Sequence, residues 1–165
     1  MISQTSEYAL RASVFLAGRR NDRPASAQEI ADSVRVPVGY LQKILRLLAK
    51  QKILTAQRGS GGGFALAKVP SAISVLDILR ATDTKIERIE RCPLGIKGHT
   101  KLCSLHGMLD AELARTEQTF ASTSLADLLD GDGGVRPLCD TSGRLPIEIK
   151  VSTKNPGPSP DNPAK

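Results

Sequence analysis

Arg58-Gly59-Ser60-Gly61-Gly62-Gly63-Phe64 lies between two short apolar runs, Ile53-Leu54-Thr55-Ala56 and Phe64-Ala65-Leu66. Two such runs closed on a glycine tip predict a β-hairpin, whose glycines permit positive φ and close approach of the backbone to a ligand. The nucleotide-binding uses of a glycine loop do not fit. A P-loop needs Lys-Ser/Thr after its last glycine, where this chain has Phe64-Ala65, and the dinucleotide spacing begun at Gly59 would need glycine in place of Phe64. A basic tip of this kind instead suits a nucleic-acid backbone, with Arg58 able to reach into a groove.

The residues before the hairpin supply the context. Ser26-Ala27-Gln28-Glu29 reads as a capping box, Ser26 accepting an orphan backbone N–H and Glu29 reaching back. A short helix follows through Ile30 and Ala31 to about Ser33. Val34-Arg35-Val36 makes the turn, and Pro37 suits the first position of the next helix. That helix sets Leu41, Ile44, Leu45 and Leu48 on one stripe and leaves Tyr40, Gln42, Lys43 and Arg46 to other faces. Further upstream, Tyr8, Ala9, Ala12, Phe15 and Leu16 recur at helical spacing and predict a first helix ending near Gly18. Helix, helix-turn-helix and hairpin in this order predict a winged helix that reads DNA, rather than a plain αα-corner.

Downstream, Ser74 with Asp77 caps a helix from Val75 to about Thr82, whose Leu76, Ile78 and Leu79 are expected to pack on the winged unit. Leu105, Leu109, Leu113 and Phe120, flanked by Met108 and Ala114, form an apolar stripe on a helix of roughly residues 104–121. Its simplest use is dimerisation, the alternative being packing on its own chain. Leu125-Ala126-Asp127-Leu128-Leu129 reads as a short cap. Residues 131–165 hold six of the ten prolines and five of the fourteen glycines, which predicts a disordered tail with Cys139 as a bystander thiol. The expected fold class is therefore mainly α with a small β-hairpin. It divides into a winged helix-turn-helix domain (1–84), a sensory loop (85–103), a dimerisation helix with its cap (104–130) and the tail.

Charge and composition narrow the function classes. Of the net charge of +6, residues 1–70 carry eleven Lys/Arg against four Asp/Glu, and a basic block suits a polyanion because neutralised phosphates release counterions. Aromatic residues are 3% of the chain with no tryptophan, which argues against stacking on single strands and for duplex DNA. Three cysteines are too few for a disulfide scaffold in 165 residues. Glu7 and Arg11 interrupt any signal-peptide core, and no apolar run reaches membrane-spanning length. The expectation is a cytoplasmic protein with no membrane partner. No nucleophile–base spacing or carboxylate pair indicates an enzyme.

These residues resemble the Rrf-type winged helix-turn-helix transcriptional regulators of bacteria, which include IscR-, NsrR- and CymR-like branches. The resemblance covers about residues 1–129. It is carried by Ser6-Glu7-Tyr8-Ala9-Leu10-Arg11, by Tyr40-Leu41-Gln42-Lys43-Ile44-Leu45, by the glycine wing, and by Cys92-Pro93-Leu94-Gly95 with Cys103-Ser104-Leu105-His106. It implies a homodimer on a partly palindromic operator, with the recognition helix in the major groove and the wing in the minor groove. Arg58 matches the family's minor-groove arginine, and Pro37, Gly39, Tyr40, Gln42 and Lys43 occupy the stretch facing bases and phosphates. Pro37 and Gly39 depart from the hydroxylic residues often found there. Gln42 suits adenine and Lys43 suits guanine or phosphate, while a narrow A·T-rich minor groove favours an inserted arginine. Ser26, Gln28, Arg46, Gly59, Ser60 and Gly61 complete the expected DNA-facing set.

Cys92, His99, Cys103 and His106 follow the spacing C-x6-H-x3-C-x2-H. Thiolates and imidazoles are ligands for an iron–sulfur cluster or for zinc. Cluster-binding members of the family place three cysteines here, where this chain has two. His99 lies near the expected middle cysteine, and His106 stands where many members also carry histidine. Glu7 matches an acidic ligand that some relatives contribute from the other subunit. The resemblance thus implies a [2Fe–2S] cluster held by Cys92, Cys103, one histidine and Glu7 across the dimer, switching a repressor in response to redox state, iron–sulfur status or nitric oxide. The alternatives are a zinc site, thiol oxidation, or a cofactor-free regulator governed by a protein partner.

Overall fold

The computed structural model describes residues 2–19, 23–59, 61–82, 84–93, 95 and 101–130. Ser60, His99, Cys139 and the tail expected over residues 131–165 lie outside the described residues. Helix α1 (Gln4–Ala17) begins four residues before Tyr8, because Ser3 supplies an N-cap whose side chain accepts from the Ser6 N–H. It is followed by α2 (Ala27–Val34) and α3 (Val38–Lys50). Arg35 ends α2 in the left-handed region at φ 56°, turning the chain sharply into α3. Ala9, Ala12, Ile30, Leu41, Leu45 and Leu48 are fully buried between these three helices, so the apolar stripes read from the sequence are the faces that pack.

Two local expectations are corrected. Pro37 is the N-cap of α3 rather than its first helical residue, with extended ψ of 126° and its carbonyl accepting from the Tyr40 and Leu41 N–H groups. At α2 only half of the capping box forms. Ser26 Oγ accepts from the Glu29 N–H at 3.1 Å, but the Glu29 carboxylate pairs with Arg19. A long-range cation outcompetes the local backbone donor.

The wing comprises β1 (Leu54–Gln57) and β2 (Gly63–Leu66), antiparallel with Leu54 opposite Leu66 and Gln57 opposite Gly63. Its tip turns through Gly59 (φ +100°) and Gly61 (φ +85°), conformations that L side chains avoid. Gly63 meets a different constraint. A Cβ there would sit 2.3 Å from the Ala25 carbonyl oxygen, because Ala25 and Phe64 exchange backbone hydrogen bonds of 2.8 and 2.9 Å. That bridge anchors the wing to the start of the helix-turn-helix.

After a 3-10 turn at Pro70–Ala72 comes α4 (Val75–Ala81), capped by the expected Ser74–Asp77 box. Leu76, Ile78 and Leu79 are buried. The long helix α5 (Ser104–Ser122) and the short α6 (Leu125–Leu129) follow. Ser124 and Asp127 repeat the Ser74–Asp77 box, and the Val75 N–H donates to the Thr123 carbonyl while the Leu125 N–H donates to that of Ile73, both at 2.9 Å. The chain therefore returns beside its own α4, and Leu125 enters the core of the winged unit. Arg80 on α4 pairs with Glu117 on α5 at 2.8 Å. Even so, α5 buries none of its residues, leaving Leu105, Met108 and Leu109 exposed at 58%, 53% and 41%. Among the described residues no helix is long and apolar enough to cross a membrane.

Candidate nucleic-acid interface and metal centre

Helix α3 is sided by its packing. Burying Leu41, Ile44, Leu45 and Leu48 turns Gly39, Tyr40, Gln42, Lys43 and Arg46 outward, with Pro37 exposed just ahead of them. Arg58, Gly59 and Gly61 are exposed at the wing tip, and Ser26 and Gln28 at the start of α2. Ser26 Oγ is engaged as the cap, and Gln28 Nε2 donates to Asp32 Oδ1 at 2.8 Å.

Tyr40 has a support that sequence reading missed. Its hydroxyl shares a 2.6 Å hydrogen bond with Thr5 Oγ1, and its ring meets the edge of Tyr8 at 5.9 Å between centroids. Gln4 Nε2 donates to the Tyr8 hydroxyl at 2.8 Å, and the Arg11 guanidinium stands 5.6 Å from the centre of the Tyr8 ring. The opening turns of α1 therefore brace the outward end of α3. One signal was present: Tyr8 lies on the apolar stripe of α1, where a phenol needs a partner for its hydroxyl.

The neighbouring residue of α1 faces the other way. Ser6 is fully buried, its Oγ 2.7 Å from Thr82 Oγ1 and 2.6 Å from Thr84 Oγ1. Thr84 opens the segment that leads to Cys92. Glu7, the next residue, accepts from Arg11 Nε at 2.5 Å within its own chain.

The structure brings three of the five expected metal ligands together. Cys103 is the N-cap of α5 and His106 lies in its first turn, so a spacing of three sets both on one helix face. His106 Nδ1 stands 3.2 Å from Cys103 Sγ and 3.7 Å from Cys92 Sγ. All three donor atoms lie within 4.8 Å of one another, and all three residues are half-buried. Cys92 arrives from outside α5 and is delivered by a clamp. Arg88 donates through Nε and Nη2 to the two oxygens of Asp110, each at 2.7 Å, and the Ile89 N–H donates to the same carboxylate at 2.9 Å. The Arg88 hydrogen bond, with the Ile89 N–H next, holds the Asp110 carboxyl down from its ordinary range to about 2.

This donor set fits a metal. Bonds of about 2.3 Å to sulfur and 2.0 Å to nitrogen in a tetrahedron put donors about 3.3–3.8 Å apart, close to the separations of 3.2 and 3.7 Å found here. Two thiols and an imidazole also match the softness of zinc or iron–sulfur sites.

Comparison with known proteins identifies the family. A family model described as "Rrf2: Iron-dependent Transcriptional regulator" matches residues 2–131. The HTH-type transcriptional regulator NsrR of Bacillus licheniformis is 26% identical over 83% of this chain and 97% of its own length. Among solved structures, CymR, the global cysteine regulator of B. subtilis, superposes with a TM-score of 0.68 at 24% identity, covering 78% of this chain and 95% of that one. IscR of T. potens gives a TM-score of 0.60 at 26% identity, covering 79% of this chain and 86% of that one.

Proposed function

Since the chain belongs to the Rrf2 family of transcriptional regulators, we propose that it is a homodimeric DNA-binding repressor whose operator affinity is set by a metal-containing group at Cys92, Cys103 and His106. The observation that carries this reading is the convergence of those three donors within 4.8 Å at the foot of α5. Its relatives are transcriptional regulators rather than enzymes. Residues 1–84 form the DNA-reading unit, 85–103 the sensory segment and 104–130 the dimer helix with its cap. The exposed Leu105, Met108 and Leu109 supply an apolar seam for a second copy. In a symmetric dimer two copies of α3 would enter major grooves one helical turn apart, with each Arg58 in a flanking minor groove.

The group proposed is a [2Fe–2S] cluster, on the family resemblance carried by Cys92-Pro93-Leu94-Gly95 and Cys103-Ser104-Leu105-His106 and on the iron dependence in the family model's description. When bound it supplies an iron centre sensitive to electrons, oxygen or nitric oxide. Cys92, Cys103 and His106 would hold it, with Glu7 of a second copy or His99 as further ligands. Glu7 would have to leave Arg11 to take that part. A single zinc ion is the second reading, and the compactness of the trio favours it: three donors within 4.8 Å suit one metal atom. A cluster would draw ligands for its second iron from elsewhere.

Coupling to DNA follows from what α1 touches. Its Ser6 is hydrogen-bonded to Thr84 at the head of the sensory segment, and its Thr5 to Tyr40 of the recognition helix. A change in the segment's position when ligands engage would be transmitted through one helix to the other. Anaerobic purification with iron, sulfide and zinc analysis distinguishes cluster from zinc. In a gel-shift series on one operator, Cys103→Ala is expected to abolish metal retention and to change affinity. Arg58→Ala is expected to weaken binding by about 1–3 kcal/mol in every metal state. Equal affinity of metal-loaded and metal-free protein would end the sensing part of the proposal and leave the regulator.

A further inference from the structure

Both described thiols are free and half-buried, so a small solute can reach them. They are also close: Cys92 Sγ and Cys103 Sγ lie within 4.8 Å of one another, with His106 Nδ1 beside both. A disulfide needs sulfurs about 2.05 Å apart, so closure asks for a relative movement of less than about 3 Å. The two cysteines differ in their freedom to make it. Cys103 is built into the start of α5. Cys92 lies in irregular chain, in a turn where the Gly95 N–H donates to its carbonyl at 3.2 Å and Gly95 takes φ of +60°. The Arg88–Asp110 clamp keeps Cys92 near α5 whether or not a metal is present, because it uses neither sulfur.

We infer that Cys92 and Cys103 form a redox pair, which a hydroperoxide closes into an intramolecular disulfide in the metal-free protein. The contact of 3.2 Å between Cys103 Sγ and His106 Nδ1 pairs a nucleophile with a base. Cys103 sulfur attacks the peroxide oxygen while its proton passes to His106 Nδ1, the O–O bond breaks, and the departing oxygen takes that proton from His106 and leaves as an alcohol or water. Cys103 is then a sulfenic acid. Cys92 sulfur attacks it, the S–S bond forms, the S–O bond breaks and water departs with the Cys92 proton. Two thiols and one peroxide give one disulfide, one water and one alcohol, or two waters from hydrogen peroxide. Metal and disulfide are thus exclusive states of one site, since sulfurs in an S–S bond are no longer thiolate ligands.

The experiment uses the full chain, either stripped of metal with a chelator or loaded with zinc, and treated with hydrogen peroxide. Free thiols are then alkylated and the peptides mapped by mass without reduction. The expected product is a Cys92–Cys103 crosslinked peptide, reversed by dithiothreitol and unchanged in Cys139→Ser. Zinc-loaded protein is expected to form it about tenfold more slowly or less, and His106→Ala to slow the metal-free reaction by about tenfold or more. Stable sulfinic acid without a crosslink, or a dominant bridge to Cys139, would overturn the pair. A rate untouched by His106→Ala would overturn the base assigned to it. The outcome separates from the metal reading: a chain that binds no metal yet closes this bridge supports the redox pair alone, whereas one that binds metal and never closes it refutes the pair alone.

Discussion

The proposed DNA-reading face and the proposed metal centre are built on different physics. Gln42, Lys43 and Arg46 project from α3 because the opposite side of that helix is locked into the core by Leu41, Leu45 and Leu48, all fully buried. Cys103 and His106 stand at the start of a helix that buries none of its residues, and Cys92, which lies outside that helix, is kept in place by the Arg88–Asp110 contact. A reader of an unvarying ligand gains from rigidity, whereas a sensor must have two arrangements of similar free energy. The contrast teaches that in this chain the outward face of α3 is held by apolar burial and the Cys92–Cys103–His106 centre by polar contacts.

That contrast can be broken by experiment. Leu45→Ala opens a cavity in the shared core and is expected to cost about 2–5 kcal/mol, read as a lower denaturation midpoint together with lost operator binding. Leu109→Ala on the exposed seam is expected to leave the denaturation midpoint of dilute protein within about 0.5 kcal/mol while weakening dimerisation in sedimentation. Equal destabilisation by the two would erase the distinction between core and seam. Gly63→Ala forces a Cβ to 2.3 Å from the Ala25 carbonyl oxygen. The expected cost is about 1–3 kcal/mol, with weaker operator binding and unchanged metal stoichiometry. Metal loss in that variant would show that wing and centre are not separable.

Asp110→Asn tests the clamp. Metal affinity is expected to fall about tenfold, with only a small change in thermal midpoint because the pair is near the surface. The carboxyl is held down to about 2 from an ordinary 3.8, so its folded form binds its proton less readily than the unfolded chain. The stabilisation is therefore complete above about pH 4 and disappears as the pH falls through 2. In metal-free protein, the difference in thermal midpoint between natural chain and Asp110→Asn should be constant from pH 7 to 5 and vanish at the acid end. A difference that instead grows as the pH falls would rule out this role. A modest effect on DNA binding is expected at Thr5→Val, which removes the hydroxyl braced on Tyr40. Loss of one neutral hydrogen bond is worth about 0.5–1.5 kcal/mol, read as a severalfold weaker operator complex with unchanged metal content.

Legibility from sequence followed the range of each interaction. The Ser74–Asp77 box and the apolar stripe of α3 depend on residues within one or two turns, and both formed where their spacing indicated. The box at Ser26 half failed because Arg19, ten residues before Glu29, took the carboxylate. The Ala25–Phe64 bridge left only an indirect mark, the glycine at 63. At the sensory centre Cys103 and His106 could be paired from their spacing of three. Cys92 is grouped with them by the C-x6-H-x3-C-x2-H spacing and the family resemblance, whereas the contact that holds it there, Arg88 to Asp110 across twenty-two positions, left no sequence signal.

The amino-acid sequence by itself determined the order of helices and hairpin, the side of α3 that is buried and the kind of partner. Each of these rests on periodicity, capping or charge, which act over a few residues. Only the tertiary structure decided which donors meet at one point, that Tyr40 is braced by Thr5, and that α6 returns to the core while α5 stays uncovered. Those outcomes depend on which distant partner wins a side chain, a competition that exists only once the chain has packed.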